Sequence, residues 1–330
     1  MTHLASHLNP PAKLQPRIER PRAPGAKAFL DHAQRTFWSA RDLGACFDQF
    51  TYALHELKKR CGDAWWRDFC AGPCREHPLR DLLEEDPFTR RALEKPRGYP
   101  SDAVMLDFIY SGLSAVESRS TTERGKVIFE RSARQSPSAK SVVERKQLLA
   151  RYIDETSERA PRARILSMAC GHLREARDSA AAHSGMLGEL VGCDQDLASL
   201  EIVARELAGL AVTPLALSVR DVIAKRASLS GFDLVYSAGL YDYLNDNAAA
   251  QLTRALFEAL NPGGRLLIAN FVPGFATHAH MEAFMGWHLT CRSERALTAL
   301  ASSLDPEAVL ARKSFVDRRG YIAYLEITRA

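Results

Sequence analysis

From Ala28 to about Asp86 the apolar residues recur at three- and four-residue intervals. Phe37, Trp38, Leu43, Phe47, Phe50, Leu54 and Leu57 fall on one stripe, as helices packed by one face require. An aromatic structural core is the reading this pattern favours. Pro78, Pro87, Pro96 and Pro100 then cut the chain into short pieces. A helix is predicted over Ala103 to Tyr110, with Ser101 or Asp102 as its N-cap. Another is predicted over Val142 to Thr156, leading into a polar link, Ser157–Arg162.

After that link the period changes. Ile165–Ala169, Leu190–Cys193, Val212–Ser218, Phe232–Ala238 and Arg265–Phe271 are short apolar runs. Helical segments are predicted at Leu173–Ser184, Leu197–Ala208 and Ala248–Leu260. Strands alternating with helices of this length predict βαβ units and a parallel sheet. The end differs: Ser314–Asp317 and Tyr321–Ile327 flank Arg318-Arg319-Gly320, which predicts a hairpin and a last strand antiparallel to its neighbours.

Composition narrows the class only a little. The chain has 330 residues, 46% hydrophobic and 25% charged, enough for a proper core. No apolar run reaches the roughly 18 residues of a membrane span, and the first residues lack the apolar stretch of a signal peptide. A cytoplasmic location is expected. Net charge is +4. Lys13, Arg17, Arg20, Arg22 and Lys27 stand against Glu19 alone in residues 1–27, so the remaining body is formally neutral. A nucleic-acid binder carries its basic patch on the folded part, which disfavours that partner. Residues 1–27, with five prolines, read as a flexible basic arm. The 7 cysteines, odd in number, point to reduced thiols. Cys70, Cys74 and His77 lack a fourth ligand and the usual spacing for zinc, and no metal is expected.

Chemistry concentrates in a few loops. In Ala169-Cys170-Gly171-His172 the small residues let backbone N–H groups approach a ligand at a strand-to-helix turn. A single glycine is a poor match to a dinucleotide fingerprint. Asp194, 23 residues beyond Gly171, ends the second apolar run, where a carboxylate accepts ribose hydroxyls. Asp196 competes for that role, since Asp194-Gln195-Asp196 can also cap a helix. Ser218 and Val219 border the expected adenine pocket. The stretch Glu94–Asp102 packs charge, an aromatic hydroxyl and backbone-restricting residues together. It is either a polar turn or a loop presenting Arg97, Tyr99 and Asp102 to a ligand.

Together, ILSMACGHLREA, LVGCDQD, FDLVYSAGLYDYL and LNPGGRLLIANF resemble the class I S-adenosylmethionine-dependent methyltransferases over roughly residues 140–330. KPRGYPSD, ACGHLREA and the run from Ala269 to Trp287 look closer still to a bacterial subgroup, the extracellular-factor (3-hydroxypalmitate methyl ester) biosynthesis methyltransferases. The resemblance implies an α/β fold: a Rossmann-like sheet of seven strands, six parallel and one antiparallel, with an N-terminal helical cap. The implied division is arm 1–27, cap and substrate region 28–160, and cofactor-binding domain 161–330. It also implies a cofactor methionine over Ala169, Cys170 and Gly171, a ribose on Asp194 beside Gln195, and adenine near Ser218 and Val219. Ser237 and Ala238 follow the fourth strand at the switch point, and Tyr99, Asp102 or Ser237 are candidates to hold the amino group.

Methyl transfer needs alignment above all. Tyr99 and Tyr241 are candidates beside the sulfonium, and Tyr243 joins Tyr241 on one side if the loop is extended. Packed rings with solvated hydroxyls are the competing reading. His172, Glu282 and His288 are candidates for a base or for substrate contact, and Arg97 and Asn270 for substrate binding. The function expected is methylation of a small molecule, a fatty-acid or other carboxylate, in specialised metabolism or signalling. Alternatives are methylation of an amino-acid sulfur or nitrogen, cyclisation of the cofactor's own side chain, and a non-catalytic cofactor-binding regulator. A nicotinamide dehydrogenase is the fold-level rival.

Overall fold

The computed structural model describes residues 25–115, 121–226 and 228–330; the arm up to position 24 lies outside them. The chain packs as two compact units. One runs to Glu94 and takes in Glu117–Arg134 and Ala276–Trp287; the other comprises Lys95–Val116, Gln135–Phe275 and His288–Ala330. The helices Ala103–Ser111 and Pro137–Arg159 thus belong with the sheet although they precede residue 160. Ala276–Phe284, which follows it, belongs with the helical unit.

In the helical unit, Asp42 caps Leu43–Arg60 by accepting the Ala45 N–H. Phe37, Phe47, Phe50, Leu54 and Leu57 are buried as their spacing predicts, each side chain contributing about 1.5–3 kcal/mol. Trp38 is the exception at 61% exposure. One residue on from Phe37, it is turned about 100° away from the stripe. His280 and Phe284 pack against Phe50, and His280 also meets the Phe47 ring. His77 is engaged at both ring nitrogens, with Asp31 and the Leu79 N–H.

The other unit is built on a seven-stranded sheet of order β3-β2-β1-β4-β5-β7-β6. Its strands are β1 (Arg164–Met168), β2 (Glu189–Asp194), β3 (Val212–Ala216), β4 (Phe232–Ser237), β5 (Leu260–Phe271), β6 (Val309–Val316) and β7 (Ile322–Arg329). β1 to β5 pair in parallel, and β7 is antiparallel to both β5 and β6. The C-terminal hairpin therefore forms as expected, with longer strands. At the entry to β5, a Cβ on Gly264 would stand 2.9 Å from the carbonyl oxygens of Asn261 and Phe232, so no side chain fits there. Pro214 sits in β3, an edge strand with three of its five residues exposed.

Two expectations need correction. The helix expected over Leu173–Ser184 is broken into a 3₁₀ turn, Arg174–Arg177, and a short helix, Ala180–Ser184. Leu173 has φ +50°, and Ser179 restarts the helix by accepting the Ala182 N–H while donating to Asp154. The helix before β1 is longer than expected. Pro137 opens it and Ser136 caps it, and it absorbs half the polar link by running to Arg159. No helix among the described residues is long and apolar enough to cross a membrane.

Candidate functional site

The carboxyl ends of β1, β2, β3 and β4 lie side by side in the sheet. Parallel strands joined by crossovers bring their following loops to one edge, where open α/β sheets take ligands. Ala169–Gly171 follow β1, Asp194 ends β2 with Gln195 next, Ser218 and Val219 follow β3, and Ser237 and Ala238 close β4. The candidate cofactor residues are thus assembled along one edge.

The β1 turn is sharply bent. Ala169 and Gly171 have φ +58° and +55°, the left-handed region that suits glycine best. A Cβ on Gly171 would lie 3.2 Å from Ala103 Cβ, so the helix Ala103–Ser111 presses its first residue onto this turn. Asp102 caps that helix by accepting the Val104 N–H at 3.0 Å. Cys170 donates its N–H to the Cys193 carbonyl. Burial pushes the Cys170 thiol well up and that of Cys193 up to about 12, so neither offers a thiolate.

Asp194 is 8% exposed. Its Oδ2 accepts the Gly171 N–H at 2.8 Å and its Oδ1 the Asp196 N–H at 2.9 Å. An ionised carboxylate has about four lone-pair positions, so these bonds orient it and leave acceptor capacity for two ligand hydroxyls. Asp196 is fully committed. It caps Leu197–Glu206 through the Ala198 N–H and accepts from Ser199, from Arg97 at 2.8 Å and from the Tyr99 hydroxyl at 3.2 Å. Burial works against its charge, but Ser199 and Arg97 outweigh it and hold the carboxyl low. The loop that presents Arg97 and Tyr99 is therefore tied to the β2 loop.

His172 is enclosed in a polar belt. Its Nδ1 is 2.7 Å from Asp107 Oδ2, and its Nε2 is 3.4 Å from Arg97 Nη1. With Asp107 accepting from Nδ1–H, Nε2 is left to accept from Arg97, so both ring nitrogens are used. Arg174 clamps the other side of Asp107 with two bonds of 2.7 Å. The sequence reading overlooked Asp107 and Arg174, although LREA follows His172 directly.

Several expected site residues are engaged or placed differently from that expectation. Tyr241 is wholly buried and its hydroxyl meets Thr253 Oγ1 at 3.0 Å. The segment is a 3₁₀ turn, not an extended loop, so Tyr241 turns inward while Tyr243 stays exposed. Asn270 donates to Asp242 and accepts from Arg292 in a buried network. Glu282 belongs to the helical unit, accepting from Lys58 and from Trp66 Nε1 at 2.7 Å. His288 and Gln195 are exposed. Ser218 spends its hydroxyl on a capping box with Asp221, and Ser237 donates to the Met168 carbonyl at 3.1 Å. Those two residues offer a ligand mainly backbone.

Residues 165–264, from β1 into β5, match the family described as Methyltransferase domain. No match is found among curated proteins. A possible exported protein from Bordetella parapertussis has a solved structure similar over 82% of this chain and 97% of its own, at 18% identity and a TM-score of 0.58. At that identity the likeness speaks for the fold. The N-methyltransferase NodS from Bradyrhizobium japonicum, solved with S-adenosyl-L-homocysteine, is similar over 59% of this chain and 88% of its own (15% identity, TM-score 0.42). A TehB-like SAM-dependent methyltransferase from Corynebacterium glutamicum is similar over 55% and 86% (18% identity, TM-score 0.39). The match to a methyltransferase domain thus falls on the strands that carry the site, within a seven-stranded, Rossmann-like sheet.

Proposed function

We propose that the protein methylates the carboxylate of a small molecule, with a hydroxylated fatty acid such as 3-hydroxypalmitate as the leading candidate, in specialised metabolism or signalling. The observation that carries the cofactor half of this reading is Asp194. It is buried, oriented by two backbone N–H groups, and still able to accept from a ribose. S-adenosylmethionine, when bound, supplies a methyl carbon on a cationic sulfur, and in-line attack by the acceptor leaves the bonding pair on that sulfur.

The chain's own residues supply placement. Gly171 keeps the β1 turn free of a side chain, and Asp194 would hold the sugar. Arg97 and Tyr99 fasten the neighbouring loop without drawing on Asp194, because Asp196 satisfies them. Holding two reactants in line is worth roughly 7–11 kcal/mol of the barrier. For the acceptor, His172 has both nitrogens committed. A carboxylate needs no proton removed, so this arrangement suits an acceptor that arrives already ionised.

Calorimetry with S-adenosylhomocysteine and with NADH tests the cofactor half; tighter binding of NADH would end this reading. For the acceptor, protein supplied with methyl-labelled cofactor and a panel of 3-hydroxy fatty acids is expected to yield a label released by mild alkali, the mark of an ester. Label that resists alkali would move the acceptor to nitrogen or sulfur.

A further inference from the structure

Arg145 lies in the 23-residue helix Pro137–Arg159, in phase with the buried Val142, Leu149 and Tyr152. It is 5% exposed, yet among the described residues no carboxylate oxygen comes within the 4.0 Å of an ion pair with it. Its guanidinium lies in the field of Tyr110, Glu175, Asp242 and Tyr324. Those two acids are occupied otherwise. Glu175 accepts from the Tyr236 hydroxyl at 2.8 Å, and Asp242 from Asn270 and the Phe271 N–H at 2.7 and 2.8 Å.

A buried guanidinium has five N–H donors and is costly to keep without an anion. Its free side has an outlet. Nη2 stands 4.0 Å from where a Cβ on Gly239 would be, and Gly239 is exposed, two residues beyond β4. β4 borders β1 on the side opposite β2. With strands about 4.8 Å apart, a ligand held at Asp194 has to cross roughly 10 Å, the width of β1 and its loop, to reach this point.

We infer that Arg145 is the carboxylate anchor of the site, pairing with the carboxylate of the methyl acceptor or of the cofactor's amino-acid end. The inference rests on the methyltransferase reading above and adds a residue to it. If the anion is the acceptor's, esterification removes the charge that binds it, so the product is released more readily than the substrate.

The test uses the full chain with Arg145→Gln and Arg145→Lys. Calorimetry compares S-adenosylhomocysteine with 5′-methylthioadenosine, which keeps the nucleoside and lacks the carboxylate. In parallel, the Nε–H NMR signal of Arg145 is followed as octanoate, or neutral octanamide, is added to protein saturated with S-adenosylhomocysteine. If the acceptor supplies the anion, octanoate alone moves the signal, and R145Q weakens octanoate about ten- to a hundredfold while both nucleosides bind as before. If the cofactor supplies it, R145Q weakens S-adenosylhomocysteine by that factor and spares methylthioadenosine, with R145K recovering part of the loss. Octanoate without effect, together with unchanged S-adenosylhomocysteine affinity, overturns the inference. Should R145Q not fold, the wild-type signal decides: movement with octanoate, or with S-adenosylhomocysteine but not methylthioadenosine, supports the anchor, and no movement with either overturns it. Failure of the methyltransferase reading looks different, since neither nucleoside would then bind the wild-type protein.

Discussion

Asp194 and Asp196 are two residues apart and carry the same charge, but their neighbours assign them different work. Asp196 meets a cation, two hydroxyls and a helix end; Asp194 meets only backbone N–H groups. Asp194→Ala is expected to weaken S-adenosylhomocysteine binding by about 1–3 kcal/mol, the worth of charge-assisted hydrogen bonds, as read by calorimetry. An unchanged affinity would remove Asp194 from the sugar site. Tyr241 makes the opposite point. Its hydroxyl serves Thr253 inside the core, so Tyr241→Phe should cost about 1 kcal/mol in urea unfolding and leave cofactor affinity intact. A variant as stable as wild type but unable to bind would return Tyr241 to the site.

Elements show where sequence reading succeeds and where it stops. The β1 turn was legible because a strand, a small-residue turn and an acid 23 residues on together define a site edge. Gly171→Ala should destabilise the fold by about 1–2 kcal/mol through its left-handed φ alone, with added strain against Ala103; a melting curve superimposable on wild type would refute that. The broken helix after Leu173 was not legible, because alanine-rich composition says helix while a long-range bond from Ser179 to Asp154 restarts the chain. Tyr241 and Tyr243 part for a related reason: two-residue spacing places side chains together only in an extended segment, and here the segment is a 3₁₀ turn. Arg145 left a usable signal. It occupies a position that the helical period reserves for apolar residues, and a charge there asks for an anion.

At the scale of the molecule, two buried groups make stability depend on pH in different windows. Burial alone would raise the Asp107 carboxyl, but hydrogen bonds from Arg174 and His172 prevail and bring it down to about 2 from an ordinary 3.8. Its contribution is complete above pH 3.8 and drains away as pH falls toward 2. His280 sits in an aromatic cluster of the helical unit, where burial lowers its imidazole from 6.5 to about 4. The unfolded chain takes up that proton first, so stability declines as pH falls from 6.5 to 4. His280→Phe is expected to flatten unfolding free energy across the upper window, and Asp107→Asn across the lower one. Urea titrations at half-unit pH steps would show it; an unaltered slope in the corresponding variant would contradict the assignment.

The two rims of the sheet carry a final consequence. Leu190 N–H donates to the Ala211 carbonyl, and with Leu190 paired to Val212 the N–H groups of Thr213 and Leu215 point inward. Position 214 therefore faces outward, and proline has no N–H to offer a passing strand there. At the opposite rim β6 presents Arg312 and Lys313, charges that discourage strand addition. Pro214→Val would equip the first rim with a donor in a β-favouring residue. The cost would be self-association at high concentration, visible in sedimentation while the candidate cofactor edge stays untouched.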